Sequence, residues 1–322
     1  MKYEVLAVGA PLMDHLLRVS ESYLATIPGV KWGMETVNYE EIVHIVEKSG
    51  VVPIQIAGGS AANVIKGLAG LGRRCAMVGK IGEDVIGERV KNDLQDKRVF
   101  PILCYSSTPT GHVACLITPD GKRTCRAYPG ASLEMQPENL DPSIFSDVKL
   151  VHVEGYTLLC PKLTQAAFEM AKKSGSLISF DLASFEIVKA NRQLILDLLP
   201  QYVDVVFGNE QEALALTSSS PKESCEIMKK LCPIAVVMMG REGCWVGGQY
   251  EQIKCQARSV TPVDTTGAGD LFASGFLHQY LAGKSLLECA QLGTILASEV
   301  IQVVGAEIPS ETWERSKILN RF

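Results

Sequence analysis

Residues 263–270, with the sequence Val-Asp-Thr-Thr-Gly-Ala-Gly-Asp, place two glycines and two acidic residues between two regular segments. Residues 255–260 before this stretch have the composition of a strand. Apolar residues after it recur at the spacing of one helix face as far as Gly283. The stretch therefore predicts a strand that leads through a glycine turn into a helix.

The glycine turn leaves backbone N–H groups uncovered at the start of the predicted helix. Gly267 and Gly269 flank a single alanine, Ala268, so little side-chain bulk shields these groups. A helix N-terminus carries free N–H groups and positive partial charge, so it attracts anions such as phosphate. Asp270 lies in that first turn, beside any anion that binds there. The alternative is a tight turn in which Asp270 only favours the helix.

The composition of the chain argues against several classes of function. The chain has 322 residues, which allows one large domain, and its net charge of −5 gives no support for a nucleic acid partner. No apolar run reaches the roughly 18 residues of a membrane span, and Glu4 and Asp14 in the first apolar segment argue against a signal peptide. The ten cysteines contain no Cys-x-x-Cys pair, which indicates buried reduced thiols in a cytoplasmic protein.

The second half of the chain alternates regularly between strand and helix patterns. Apolar runs at 150–153, 177–180, 203–207 and 234–239 are separated by helical segments. This alternation predicts a parallel sheet with helices on both faces. The strands end at Glu154, Asp181, Asn209 and Gly240, and in such a sheet these ends share one edge, where ligands bind.

The first half of the chain contains two strand ends with polar residues and one hairpin. A strand at 3–9 precedes Asp14, and a strand at 51–57 precedes a helix that runs to about Gly70. Two glycines at that helix start would let a ligand approach the backbone. Asp14 as a turn residue is the plainer alternative. Segments 112–118 and 122–127, joined by Pro-Asp-Gly, predict a hairpin.

Two longer strings identify a family. Residues 264–270 resemble the second signature of the ribokinase-like (PfkB) carbohydrate and nucleoside kinases, and the run 58–87 resembles the first. The resemblance extends from Val5 to Ala306. It implies an α/β, ribokinase-like fold with a doubly wound, mostly parallel sheet and a small β-lid. We expect one kinase domain over 1–322, with the lid formed by about 15–55 and 100–130.

The resemblance also implies roles for individual residues. Asp270 would be the catalytic base, and Gly267, Ala268 and Gly269 would form an anion hole. The substrate hydroxyls would be bound by a second group, which comprises Asp14, Gly58, Gly59 and Asn63. A solvated Asn63 behind a Gly-Ser helix cap is the alternative at that position.

Nucleotide and metal roles follow from the same resemblance. Asn209 and Glu212 match a motif that organises magnesium and phosphate, with Glu212 acting on Mg²⁺ through water. A capping box at a helix start is the alternative for this pair. Gly240 and Gly243 match the turn at ATP, for which a plain hairpin turn is the alternative. Asp264 and Thr266 match positions that bind a monovalent cation such as K⁺ in some members, which leaves a potassium site open here.

The expected acceptor is a ribonucleoside or related ribose compound. The insertion before Gly58 is long, and residues 129–132 and 154–156 resemble the adenosine-kinase-like branch. At Asp181 the Asp-x-Asn string of many sugar kinases is missing. A fructokinase- or ribokinase-type sugar kinase remains an alternative, as does a non-catalytic sugar- or nucleoside-binding regulator. P-loop, protein-kinase and dinucleotide-binding strings are absent from the sequence. We expect a monomer or homodimer without nucleic acid or membrane partners.

Overall fold

The computed structural model describes residues 3–309 and Trp313, which form two sheets and ten α-helices. The larger sheet has nine strands: β1 Val5–Val8, β5 Cys75–Gly82, β6 Val99–Ser106, β9 Leu150–Glu154, β10 Leu177–Asp181, β11 Val205–Asn209, β12 Ile234–Met238, β13 Cys244–Gly247 and β14 Gln252–Cys255. The smaller sheet has five: β2 Leu12–Arg18, β3 Met34–Thr36, β4 Ile54–Gly58, β7 Gly111–Ile117 and β8 Arg123–Tyr128. The helices are α1 Glu21–Leu24, α2 Tyr39–Lys48, α3 Ser60–Gly70, α4 Val85–Asp96, α5 Pro161–Lys173, α6 Phe185–Tyr202, α7 Glu210–Thr217, α8 Pro221–Met228, α9 Ala268–Tyr280 and α10 Leu286–Val300.

The larger sheet is doubly wound, as predicted. Its order is β14-β13-β12-β11-β10-β9-β1-β5-β6, with parallel pairing from β12 to β6 and an antiparallel edge of β13 and β14. Alternate residues of β1 enter different cores: Leu6 and Val8 pack with α5 to α8, whereas Val5 and Ala7 pack with α3, α9 and α10. Because successive strand residues face opposite sides, both faces of the sheet are covered by helices.

The smaller sheet has the order β3-β8-β7-β2-β4 and joins segments that are far apart in sequence. β7 and β8 form the predicted hairpin, and β2 pairs in parallel with β7. Helix α2 covers this sheet and begins with a capping box in which Asn38 and Glu41 exchange hydrogen bonds of 2.8 and 2.9 Å.

Three sequence predictions differ from the structure. Asp14 follows β1 in the chain but lies within the next strand, β2 of the smaller sheet, and not in the turn after β1. Residues 99–106, partly assigned to the lid, form β6 at the edge of the larger sheet. The strand predicted at 255–260 is wrong: β14 ends at Cys255, opposite Cys244, the first residue of the strand β13 with which it pairs. Beyond that register no strand within residues 3–309 supplies hydrogen bonds, so the chain leaves the sheet.

Candidate active site

A cavity of about 1780 Å³ opens between the carboxyl edge of the larger sheet and the smaller sheet. It exceeds the roughly 300–1,000 Å³ of a site for one small molecule. It is lined by most of the residues predicted from the sequence: Asp14, Gly59, Asn63, Asn209, Glu212, Gly240, Gly243, Thr266, Gly267, Ala268, Gly269 and Asp270. Gly58 and Asp264 are not part of the lining.

The glycine turn ends at the start of α9, as the sequence predicts. Gly267 is the N-cap residue with φ +75°, a conformation that side chains disfavour. A Cβ at this position would also lie 2.5 Å from the Cβ of Ala306. At Gly269 in the first turn, an added Cβ would make only an ordinary contact with Met238, 3.4 Å from its Cε. The free N–H groups of this helix start therefore border the cavity.

Asp270 connects the glycine turn to α3. Its Oδ1 accepts a hydrogen bond from Ser60 Oγ at 2.9 Å, and its Oδ2 accepts one from Asn63 Nδ2 at 2.9 Å. Burial raises the pKa of Asp270, while these two hydrogen bonds and the nearby positive charge of Arg123 oppose the rise. The Oδ1 of Asn63 is buried without a hydrogen-bond partner in the described chain, so Asn63 retains an acceptor for a ligand.

Asp14 faces the same cavity from β2. Burial raises its pKa to about 7, against the opposing charges of Lys66 and Arg123. Its carboxylate has no hydrogen-bond partner among residues 3–309, and Gly58 leaves space for it, because an added Cβ there would lie 2.1 Å from Asp14 Oδ2. Gly59, with φ +103°, lets the backbone pass the carbonyl of Ala10. Gly58 thus shapes the pocket without lining it.

Asn209 and Glu212 form the capping box of α7. The Glu212 carboxylate accepts from Asn209 N at 2.7 Å and from Asn209 Nδ2 at 2.5 Å, and Asn209 Oδ1 accepts from Glu212 N at 3.0 Å. The capping box that was the alternative for this pair is therefore present, although both residues also line the cavity. Burial, together with the charge of Asp181, raises the pKa of Glu212 to about 8, and burial raises that of Asp181 to about 7.

These two buried carboxyl groups are suited to a nearby cation, which would favour their ionised forms. Within residues 3–309 and Trp313, no group of three or more His, Cys, Asp or Glu side chains is placed to hold a metal directly. Mg²⁺ keeps several waters and is usually held by one or two carboxylates with substrate phosphates. The residues present thus fit a hydrated Mg²⁺ bound together with a phosphate ligand.

Gly240 and Gly243 lie in the turn that joins the antiparallel strands β12 and β13. Both have positive φ, of +51° and +86°, and an added Cβ on Gly243 would lie 1.9 Å from the carbonyl oxygen of Cys255. The hairpin alternative therefore describes the local geometry. The same turn borders the cavity beside residues 256–260 and the C-terminal half of α10.

Asp264 organises the loop behind the glycine turn. Its carboxylate accepts hydrogen bonds from Thr266 N at 2.9 Å, Thr266 Oγ1 at 2.7 Å and Gly305 N at 2.8 Å. These bonds hold the segment around Gly305 against the turn. A monovalent cation bound at Asp264 and Thr266 stays a prediction.

Two residues of the cavity were not assigned a role from the sequence. Arg123, at the start of β8, lines the cavity, and its charge opposes the rise in pKa that burial causes at both Asp14 and Asp270. Its carboxylate neighbours come from other elements, so the hairpin pattern alone could not reveal it. Glu154 was noted only as a strand end. Its carboxylate accepts from Ala10 N and Ala61 N, both at 2.7 Å, and so joins the end of β1 to α3.

No helix in the described part of the chain combines the length and the apolar character of a membrane span.

Comparisons with known proteins agree with this geometry. The family described as "pfkB family carbohydrate kinase" matches residues 52–313. An adenosine kinase from Sinorhizobium meliloti is 32% identical in a superposition covering 98% of this chain and 100% of that one, with a TM-score of 0.92. A probable sugar kinase from Rhizobium etli is 30% identical over 100% and 99% of the two chains, with a TM-score of 0.94.

A curated relative is an uncharacterized sugar kinase from Archaeoglobus fulgidus. It is 27% identical over 245 residues, which cover 74% of this chain and 96% of the relative. Membership of one protein family therefore explains the two signatures, the doubly wound sheet and the cavity at the edge of that sheet. The chain belongs to the pfkB family of carbohydrate kinases and is a phosphotransferase with a hydroxyl group as acceptor.

Proposed function

We propose that this kinase transfers the γ-phosphate of ATP to a primary hydroxyl of a ribonucleoside or related ribose compound. The position of Asp270 carries the proposal. Its carboxylate lies in the first turn of α9, next to the amides of the glycine turn, and is hydrogen-bonded to Asn63 on the acceptor side. A hydroxyl held there would face both a base and an anion-binding helix start.

The acceptor would be held by Asp14, Gly59 and Asn63. Asn63 Oδ1 is buried without a partner in the described chain, and the largely buried Asp14 lines the same cavity, so ring hydroxyls would supply donors to both. A buried acceptor left unpaired costs about 1–3 kcal/mol. We therefore expect strong rejection of acceptors that lack the corresponding hydroxyl.

Asp270 would take the proton of the acceptor hydroxyl as its oxygen bonds to the γ-phosphorus, while the bond from that phosphorus to the bridging oxygen breaks and ADP leaves. The N–H groups at residues 267–269 would donate to the oxygens of the transferring phosphoryl group, and Arg123 would add positive charge from the smaller sheet. Mg²⁺, placed by Asp181 and Glu212 through water, would neutralise charge on the phosphates. Positioning and electrostatics account for most of the catalysis in such transfers.

ATP would occupy the other end of the cavity. The turn at 240–243, residues 256–260 and the C-terminal half of α10 form its walls there. The smaller sheet would serve as a lid that excludes water from the reacting groups, which limits hydrolysis of ATP. The described elements from β1 to α10 would then act as one kinase domain.

Apolar side chains favour a nucleoside over a free sugar. The smaller sheet, the short 3₁₀ turns after β8 and β9 and the start of α6 line the cavity with a group of large apolar residues: Trp32, Met34, Leu133, Tyr156, Leu159 and Phe185. A heterocyclic base can pack against such a wall, whereas a sugar offers little apolar surface to it. The similarity to an adenosine kinase at 32% identity supports the same class of acceptor.

A sugar kinase is the second candidate, because the Rhizobium etli and Archaeoglobus fulgidus relatives are both described as sugar kinases. A coupled ADP-release assay over adenosine, inosine, cytidine, ribose, fructose and a phosphorylated hexose separates the two. We expect turnover with at least one nucleoside. Turnover with ribose or fructose and with no nucleoside would refute the proposal, and binding without any turnover would favour a non-catalytic regulator.

A further inference from the structure

Two cysteines of the smaller sheet face each other on the wall of the cavity. Cys115 in β7 is directly opposite Cys125 in β8, and their Sγ atoms are 3.7 Å apart. Both side chains are largely buried, with 3% and 7% exposure, and both contribute to the cavity lining. They therefore form a dithiol that a small molecule in the cavity can reach.

The register of the hairpin brings these side chains especially close. Thr118 N donates to Lys122 O at 3.0 Å, which marks residues 118 and 122 as a hydrogen-bonded pair. Hydrogen-bonded and non-hydrogen-bonded pairs alternate along antiparallel strands, so Cys115 and Cys125 form a non-hydrogen-bonded pair. Side chains are nearest in such pairs, and a disulfide requires Cβ atoms roughly 3.5–4.5 Å apart. Closing the bond needs the sulfurs to approach from 3.7 Å to roughly 2.0 Å.

The surroundings favour a thiolate on one of the two sulfurs. The hydrogen bond shared with Cys115, helped by the charge of Arg123, lowers the pKa of Cys125 even though burial opposes the shift. Arg123 is two residues before Cys125 and so projects from the same face of β8. A thiolate next to a guanidinium is the nucleophilic and oxidisable form of cysteine.

We propose that Cys115 and Cys125 form an oxidation site within the acceptor side of the cavity, at which hydrogen peroxide produces a disulfide that slows phosphoryl transfer. The Cys125 thiolate attacks one peroxide oxygen, and the O–O bond breaks to leave a sulfenic acid and hydroxide. The hydroxide takes up the proton that Cys125 lost on ionisation and becomes water. The Cys115 sulfur then attacks the sulfenic sulfur, the S–O bond breaks, and a second water leaves with the proton of Cys115. Two thiols lose two electrons to one peroxide molecule.

The effect on activity follows from where the disulfide forms. It joins β7 to β8 on the face that carries Arg123, and β7 also pairs with β2, which carries Asp14. The bond would remove the thiolate beside Arg123 and fix the strands in one spacing. Both changes act on groups proposed to contact the acceptor or the transferring phosphoryl group.

A second facing pair provides an internal comparison. Cys244 in β13 is opposite Cys255 in β14, but Gly248 N donates to Glu251 O at 2.9 Å in the same hairpin. By the same alternation, Cys244 and Cys255 are a hydrogen-bonded pair, in which side chains are generally farther apart. A side-chain hydrogen bond with Cys244 still lowers the pKa of Cys255 to about 7, so thiolate character alone does not distinguish the two pairs. Because neither Cys244 nor Cys255 lines the cavity, we expect peroxide to link the first pair and not the second.

The test combines thiol counting with kinetics on the full-length protein. The reduced protein is treated with hydrogen peroxide, quenched with catalase and alkylated under denaturing conditions before mass spectrometry. All ten cysteines should be alkylated in the untreated protein, and eight after treatment, because the disulfide protects two. The mass spectrum should contain one pair of peptides linked through Cys115 and Cys125. The kcat/KM for adenosine should fall roughly tenfold or more relative to untreated protein and return with dithiothreitol.

Single variants distinguish this site from other thiols. Cys115→Ser and Cys125→Ser should each prevent the linked peptide and the reversible loss of kcat/KM, whereas Cys255→Ser should prevent neither. Either of the first two variants suffices if the other fails to fold. Ten alkylated cysteines after treatment, a link between Cys244 and Cys255, or an oxidised protein with unchanged kcat/KM would each overturn the proposal. The thiol count does not depend on the acceptor, so its outcome is separate from that of the proposed function.

Discussion

Replacing the Asp270 carboxylate by an amide should remove the general base while leaving its packing intact. In the folded protein, Ser60 Oγ and Asn63 Nδ2 donate to the two Asp270 oxygens, both at 2.9 Å. In Asp270→Asn the amide oxygen keeps the bond from Ser60. The new NH₂ group of residue 270 can donate a hydrogen bond to Asn63 Oδ1 once the side-chain amide of Asn63 rotates. This oxygen is available because it is buried without a partner in the described chain.

These hydrogen bonds determine the changes that we expect in the free energy of unfolding and in kcat. One buried polar group of Asn63 is unpaired both before and after the change, and a carboxylate whose pKa burial raises is removed, so the free energy of unfolding should change by less than about 1 kcal/mol. The kcat should fall by a factor of roughly 10² to 10⁴, the usual contribution of a general base. At about 1.36 kcal/mol per factor of ten, that is about 2.7–5.4 kcal/mol of transition-state stabilisation.

Steady-state ADP release with adenosine as acceptor, together with urea unfolding, measures both quantities. Asp96→Asn, which changes an exposed carboxylate at the end of α4, is the matched control and should leave both unchanged. A kcat within about threefold of the parent protein would refute the role of Asp270 as base. A loss of kcat that parallels a large loss of stability would refute the structural argument about the amide pair.

Three further predictions concern neighbouring groups. Arg123→Gln should lower kcat about 10²-fold with little change in the acceptor KM, since its charge is proposed to act on the transferring phosphoryl group; a change in KM alone would contradict this. Asn209→Ala and Glu212→Ala should both lower Tm through loss of the cap, and should also raise the Mg²⁺ concentration for half-maximal rate; an unchanged Mg²⁺ titration would leave capping as their whole role. Gly267→Ala should destabilise the protein in urea by about 1–3 kcal/mol, more than Gly283→Ala, which has a similar φ of +73° but open space at its Cβ; equal costs would remove the steric argument.

The parts of the fold that local sequence encodes could be predicted. The apolar runs from 150 to 239 became β9 to β12, because strands buried on both faces need continuous apolar residues. The start of α9 at the glycine turn and the capping box of Asn209 and Glu212 depend on a few adjacent residues. The meeting of Asp181 and Asn209 at one cavity follows from parallel pairing of β10 and β11.

Features that depend on pairing between distant segments could not be predicted. β3 pairs with β8 and β2 with β7 across long separations in sequence, and no local pattern encodes those registers. Asp14 therefore appeared to follow a strand but lies within one. Arg123 was unassigned for the same reason, because only the pairing of the smaller sheet brings it to the cavity that Asp14 and Asp270 also line.

The buried carboxyl groups of the cavity predict an unusual dependence of stability on pH. Burial raises the pKa of Asp14, Glu154 and Asp181 to about 7 and that of Glu212 to about 8, against about 3.9–4.3 in an unfolded chain. Between these values the native state binds more protons than the unfolded state, so the free energy of unfolding falls as pH rises. The stability that these groups contribute is fully present below about pH 4 and is lost as pH rises through about 7 to 8.

The ligand-free protein should therefore have a lower Tm at pH 8.5 than at pH 5.5. Most exposed carboxyl groups titrate below this pH interval, so they should contribute little to the difference. Glu212→Gln removes one of the buried titrating groups and should make this decline shallower. Glu169→Gln, at an exposed position of α5, should leave the slope unchanged. A Tm that rises over this window, or equal slopes for both variants, would show that these carboxyl groups are not held neutral by burial. Because a bound cation would favour the ionised forms, Mg²⁺ with ADP should raise Tm more at pH 8.5 than at pH 5.5.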